Sequence, residues 1–219
     1  MININKLQGM RFPTEAVIRM FYKEELHTFK NKKVLEFGCG SANHLMLFAQ
    51  YGWQVTGIDY DPDSLKMACH NISVIGERGN FYEHDLSYKL PVLDGGFDVF
   101  LAPSCLYYLD KESAINRLKE VNHYLNPGAM IFIQMRLPDD HRNGRGVCVG
   151  KDSWILNIDY TGEKGLLNVF YSEHELVELM NKTLGVPLNG LISLKTSYEN
   201  RQNGLTIRNS DIVLWGRKS

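Results

Sequence analysis

A strong charge of either sign is missing from this 219-residue chain: 24 Lys and Arg stand against 25 Asp and Glu, a formal net charge of -1. So neutral a protein lacks the field of a nucleic-acid-coating module, and no nucleic-acid partner is expected. Long apolar runs are missing too. The longest, Val99 to Leu109, is broken by Pro103 and Ser104 and is too short to cross a bilayer, so no membrane partner is expected. The opening MININKLQGMRF has no apolar core of a secretory signal. Cysteine is sparse: Cys39, Cys69, Cys105 and Cys148 lie far apart without a CxxC pair, which points to reduced thiols and a cytoplasmic protein. Histidines form no HxxxH or HExxH pair, so a metal site is not expected. Repeats, low-complexity tracts and linkers are absent. What remains is an ordinary globular composition, 44% hydrophobic and 22% charged, long enough to bury a core without a staple.

Periodicity organises the rest. Val17, Ile18, Phe21, Tyr22 and Leu26 follow Pro13 at helical spacing and predict an amphipathic helix opening near that proline. Short strands are predicted at Lys33 to Phe37, Trp53 to Asp59, Phe81 to Asp85, Phe97 to Ala102 and Ala129 to Met135. Between them lie helices from Asn43 to Gln50, from Pro62 towards Gly76, and from Lys111 to Tyr124, the last stopped by Pro127-Gly128. Strands alternating with helices argue for a parallel sheet covered on both faces. Ser172 with Glu175 is a capping-box signature for a late helix reaching Leu184. Two final strands are predicted near Leu191 to Tyr198 and Asp211 to Gly216, joined through Asn203-Gly204. The connection from Arg136 to Tyr171 is far longer than usual, which marks it as functional or mobile.

The sharpest motif is Val34-Leu35-Glu36-Phe37-Gly38-Cys39-Gly40-Ser41-Ala42-Asn43. A strand, a Gly-x-Gly turn and a helix let the backbone approach a ligand at the carboxyl end of a sheet. Asp59, ending the next strand, is spaced to bind two ribose hydroxyls. A dinucleotide fingerprint wants a glycine where this chain has Asn43, and a carboxylate at position 36 would repel a pyrophosphate. The same carboxylate suits a ligand bearing an ammonium group. S-adenosylmethionine has an ammonium, a sulfonium, a ribose and no phosphate.

Residues 33 to 135 resemble the class I S-adenosylmethionine-dependent methyltransferases in VLEFGCGSA, VTGIDYD, FYEHDL, FDVFLAPSCLYYL and LKEVNHYLNPGAMIFI. The resemblance implies a Rossmann-like α/β fold: a mostly parallel seven-stranded sheet flanked by helices, with an antiparallel C-terminal hairpin. By the same likeness Glu36, Gly38, Cys39 and Gly40 surround the methionine end of the cofactor, Asp59 holds the ribose and Tyr60 lies beside the adenine. Asp85 accepts from the adenine amine with Leu86 packing nearby, and Ala102 passes under the sulfonium. Ala42 stands where many members have a third glycine. More loosely, RFPTEAVIRMF and NSDIVLWGRK resemble methyltransferases of surface-polysaccharide and other small-molecule biosynthesis.

Residues 1–219 are therefore read as one domain, expected as a monomer or homodimer, with an N-terminal helical lid (1–30) and a substrate-lid insertion (136–171). Tyr107, Arg136, Arg142 and Arg145 are candidate substrate residues, the arginines as bidentate clamps on an anion. His141 and Tyr107 are candidate proton acceptors. The expected acceptor is a small molecule, through a hydroxyl or carboxylate oxygen, with a sugar derivative among the candidates. A non-catalytic cofactor-binding module and a protein or RNA methyltransferase are the rival readings.

Overall fold

Strand β1 (Lys33–Phe37) is buried at nearly every position because both of its faces are covered. A computed structural model describes residues 4–202 and 204–219. The expected parallel strands follow as β2 (Gln54–Asp59), β3 (Gly79–Glu83), β4 (Phe97–Pro103) and β5 (Leu125–Arg136). Helices alternate with them: α1 (Glu15–Lys23), α2 (Asn43–Gln50), α3 (Pro62–Val74), α4 (Lys111–Asn122) and α5 (Glu173–Leu184). Three short strands, β6 (Gly146–Gly150), β7 (Ser153–Leu156) and β8 (Leu167–Val169), precede α5, and β9 (Ile192–Gln202) and β10 (Leu205–Arg217) close the described chain.

The main sheet has seven strands in the order β3-β2-β1-β4-β5-β10-β9. Its first five are parallel, while β10 runs antiparallel to both β5 and β9. Side-chain alternation sorts each strand between two cores. Leu35 and Phe37 join Phe100, Leu118 and Met180 on the α4–α5 face, and Val34 joins Leu101, Phe48 and Leu65 on the α1–α3 face. Glu36 shares the parity of Val34, so its carboxylate points towards α2. Between β1 and β4 the strand order reverses, opening a crevice at the carboxyl ends of the strands, where α/β folds bind ligands.

Several boundaries differ from the sequence reading. Pro13 precedes the N-cap Thr14 instead of opening α1, and Leu26 lies in a separate turn after Glu25, whose φ is 54°. Strand β3 starts and stops two residues early, because Asp85 leaves the strand to accept the Ser87 N–H at 2.8 Å. Pro127-Gly128 does not separate helix from strand. It lies inside β5, in a bulge between the pairs Phe97–Leu125 and Val99–Met130, where the missing proline N–H costs no ladder bond. The hairpin strands are longer than predicted; Asn203 of the predicted connection lies outside the described residues.

The 136–171 segment carries its own three-stranded antiparallel sheet, β6-β7-β8, which the sequence reading left without strands. At the other end, residues before α1 are laid along the glycine turn and the helices beyond it. Ser41 donates to the Met10 carbonyl at 3.0 Å, Asn43 to Phe12 at 2.9 Å and Asn71 to Gln8 at 2.9 Å.

The capping box of α5 is complete: the Ser172 hydroxyl accepts the Glu175 N–H at 3.2 Å, and the Glu175 carboxylate accepts the Ser172 N–H at 2.9 Å. Burial would raise the Glu175 pKa, but the Ser172 N–H, the Lys111 ammonium at 2.9 Å and the Ser172 hydroxyl lower it to about 2. Its contribution to stability is present above the usual carboxylate range and is lost as pH falls towards 2. Ser172→Ala should lower stability by about 1 kcal/mol, shifting Tm by roughly 2–4 °C, and weaken that acid dependence, as thermal melts at neutral and acidic pH would show.

Candidate functional site

A cavity of about 490 Å³ opens at the crevice, within the 300–1,000 Å³ range usual for small-molecule sites. The tips of four strands shape it. Gly38 follows β1, Asp59 ends β2 with Tyr60 just after it, His84 to Ser87 follow β3, and Ser104 and Cys105 follow β4. Tyr108 and Leu109 close one side, and Leu166 and Leu167 of the 136–171 insertion form the lip. Among the described residues, no Lys or Arg lines this cavity.

The glycine turn is fixed by its φ angles and by close contact. Gly38 has φ 63° and Gly40 φ 50°, left-handed values that suit glycine. A Cβ on Gly38 would stand 2.7 Å from the Cβ of Cys105, so the tips of β1 and β4 meet only because this residue has no side chain. Ala42 takes φ 64° where the family pattern favours glycine, and Ser104 takes φ 58° at the mouth of the cavity. A non-glycine residue held at such an angle stores strain, and such positions cluster at binding sites.

Asp59 ties the second strand to this turn. Its carboxylate accepts the Gly40 N–H at 2.8 Å and the Asp61 N–H at 3.0 Å. A carboxylate has about four acceptor positions, so one remains free on each oxygen for a ligand. Glu36 lies behind the turn, fully buried, with one oxygen 2.6 Å from His44 Nδ1 and the other without a partner. Burial pushes the Glu36 carboxyl up, against the pull of the nearby His44. Burial, together with the charges of Glu36 and Asp59, pushes the Cys39 and Cys105 thiols up and keeps them protonated.

Five of the nine predicted cofactor residues line the cavity: Gly38, Asp59, Tyr60, Asp85 and Leu86. Tyr60 is 74% exposed, an uncovered aromatic face beside Asp59. Gly40 reaches the site through Asp59. Glu36, Cys39 and Ala102 are buried beneath the surface, Cys39 with its sulfur turned against Gly57.

The predicted substrate residues are placed differently. Arg136 is buried; it pairs with Glu163 at 2.7 Å, donates to Asn168 and stacks over the Tyr107 ring at 4.1 Å. Arg142 spends its donors on Glu163, Asp140 and Asn209. The anion clamp expected of these two arginines is therefore not formed, because the insertion supplies its own carboxylates to them. Arg145 is exposed, and none of the three lines the cavity. His141 holds its Nδ1 3.0 Å from the Arg208 carbonyl and stacks on Tyr160. Burial and the adjacent Arg142 push its pKa down, so it is neutral at pH 7, but it is not among the lining residues. Tyr107 is 5% exposed and packs beneath Arg136; of this adjacent pair, it is Tyr108 that lines the cavity. Leu166 and Leu167 were also missed, since nothing local in a polar insertion marks which leucines fold back over the sheet.

Residues 34–128 match the family described as a methyltransferase domain. The chain has the fold of a crystal structure of SAM-dependent methyltransferases from Methanosarcina mazei, with a TM-score of 0.66 at 21% identity over 90% of this chain and 98% of that one. In sequence it is similar to an uncharacterised protein of Haemophilus influenzae, 27% identical over 64% of this chain and 64% of that protein. It is also similar to a tRNA N(3)-methylcytidine methyltransferase of Schizosaccharomyces pombe, 23% identical over 80% of this chain and 72% of that enzyme. The match thus spans just under two thirds of the first relative's length.

Gly38→Ala should cost at least about 1–2 kcal/mol from the left-handed backbone alone. The double variant Gly38→Ala/Cys105→Gly should relieve the 2.7 Å contact and recover only part of the loss, as urea denaturation of the three proteins would reveal.

Proposed function

We propose that this chain transfers the methyl group of S-adenosylmethionine to a small-molecule acceptor, most readily a hydroxyl oxygen. The observation that carries this reading is the charge of the cavity: Asp59 and Asp85 in the lining, Glu36 behind it, and no lysine or arginine among the lining residues described. Such a floor favours a cationic, phosphate-free nucleoside and repels a pyrophosphate. Four of the lining residues support that fit. Asp59 has the two free acceptor positions a ribose diol needs, Tyr60 presents an open ring to an adenine, and Asp85 with Leu86 flanks its far edge.

When bound, the sulfonium supplies an electrophilic methyl with a good leaving group. The protein's task is then to place the two partners, and good placement supplies on the order of 7–11 kcal/mol. Gly38 lets β1 and β4 approach so that Ser104 and Cys105 sit at the mouth where an acceptor enters. Leu86, Leu109, Leu166 and Leu167 exclude water there. A lining without a cation offers nothing to a carboxylate acceptor, which favours the hydroxyl. The leucine wall favours a mostly apolar body over a bare sugar. Four free cysteines, two of them exposed, support a reducing, cytoplasmic setting. Among the described residues no helix is long and apolar enough to cross a membrane.

Calorimetry should show S-adenosylhomocysteine binding and NADH ignored; the reverse would overturn the reading. Asp59→Ala should weaken that binding by about 1–3 kcal/mol through loss of charged hydrogen bonds. A mass screen of metabolite pools with S-adenosylmethionine supplied should find a product heavier by one methylene unit. Methylation of tRNA with metabolites untouched would refute the small-molecule acceptor and leave the cofactor standing.

A further inference from the structure

The insertion does more than cover the crevice. Glu163, only 7% exposed, is the point where it grips the sheet: its carboxylate takes the Arg136 guanidinium at 2.7 Å, the Arg142 Nε–H, and the Tyr108 hydroxyl at 2.7 Å. Each arginine is fixed in turn. Arg136 lies on the Tyr107 ring, and Arg142 is held by Asp140, which also accepts the Ser210 N–H of β10 at 3.0 Å. Glu163 therefore joins the insertion to β5 and to the turn after β4, and through Arg142 and Asp140 to the C-terminal hairpin; among the described residues, the member of the cluster that lines the cavity is Tyr108.

The direction of the Tyr108–Glu163 hydrogen bond follows from charge. Burial would raise the Glu163 pKa, but the Tyr108 hydroxyl and the two guanidinium groups outweigh it and hold the carboxyl below its ordinary value. An ionised carboxylate only accepts, so the phenol must donate. With its one proton committed, the phenol oxygen can only accept, and since the adjacent Tyr107 hydroxyl donates to it, one lone pair remains for a ligand. Donation to an anion also makes that oxygen a better acceptor.

We propose that Tyr108, oriented by Glu163, recognises the methyl acceptor by taking a hydrogen bond from a hydroxyl on a mostly apolar small molecule. The proposal rests on the functional reading above, with the nucleoside on the Asp59–Asp85 side of this cavity and the acceptor on the side of Tyr108, Leu166 and Leu167. Tyr108 acts here by position. As a base it would take the substrate proton and pass its own to Glu163, yet two guanidinium groups hold Glu163 as a carboxylate, and burial keeps the phenol protonated. Glu163 is a positioning residue, since it reaches the substrate only through Tyr108.

Ligand-observed NMR titration of the full chain loaded with S-adenosylhomocysteine tests this, with p-cresol, its donor-free analogue p-fluorotoluene, and p-toluate as probes. The wild type should bind p-cresol about two- to tenfold more tightly than p-fluorotoluene, the worth of one hydrogen bond, and p-toluate least. Tyr108→Phe should abolish that preference with unchanged S-adenosylhomocysteine affinity, which also reports that the variant is folded. Glu163→Gln should shrink the preference, because the amide no longer fixes the phenol's direction. An equal preference in Tyr108→Phe and wild type, or tightest binding of p-toluate, would overturn the proposal while leaving the cofactor reading intact. Failure of S-adenosylhomocysteine to bind the wild type would overturn both.

Discussion

The carboxylate of Asp59 is the link on which the site depends. Strands β1 and β2 are neighbours in the sheet, but pairing alone does not fix the loop that leaves β1. The hydrogen bond from Gly40 to Asp59 does, and the second bond from Asp61 stops the carboxylate from rotating. Each is a charge-assisted bond to backbone, stronger than its neutral counterpart. Only a residue at the tip of β2, with its side chain on the glycine-turn face, meets both N–H groups. The binding floor is thus built into the parallel register instead of being assembled by flexible side chains.

Glu36 shows how alternation sets a residue's part in the site. One position of either neighbour's parity would have placed its side chain in the α4–α5 core. As it stands, the carboxylate faces α2 and meets His44, with one oxygen left unpartnered in the interior. It lies behind the cavity floor, outside the lining. The sheet therefore presents two acids in different ways: Asp59 at the cavity surface, Glu36 buried behind it.

Much of this was legible in the sequence, for identifiable reasons. Strand and helix order follow local apolar spacing, and α2 and the capping box of α5 were read at their observed bounds because caps and glycines are written locally. Asp59 was legible because its partner lies at a fixed offset along one βαβ unit. The strands β6 to β8 were not, since a run such as Gly146-Val147-Cys148-Val149-Gly150 is too short to separate from a loop by periodicity. Nor was the choice between Tyr107 and Tyr108. Adjacent residues of a tight turn point apart, and which one faces inward is decided by Arg136, which lies on β5 and comes near only once the sheet has formed.

The arginines of the insertion make the same point about charge. A run containing Arg136, Arg142 and Arg145 beside a predicted site suggests an anion clamp, but a guanidinium serves a ligand only if no protein carboxylate reaches it first. Glu163 and Asp140 do reach, and both are buried. Removing one partner from such a cluster leaves an uncompensated buried charge, so the cluster holds the insertion in a single place even if its net contribution to stability is small. Holding the insertion in place also holds Leu166, Leu167 and the Tyr108 hydroxyl against the crevice. Charge that the sequence assigned to the substrate is used instead to fix the wall of the cavity.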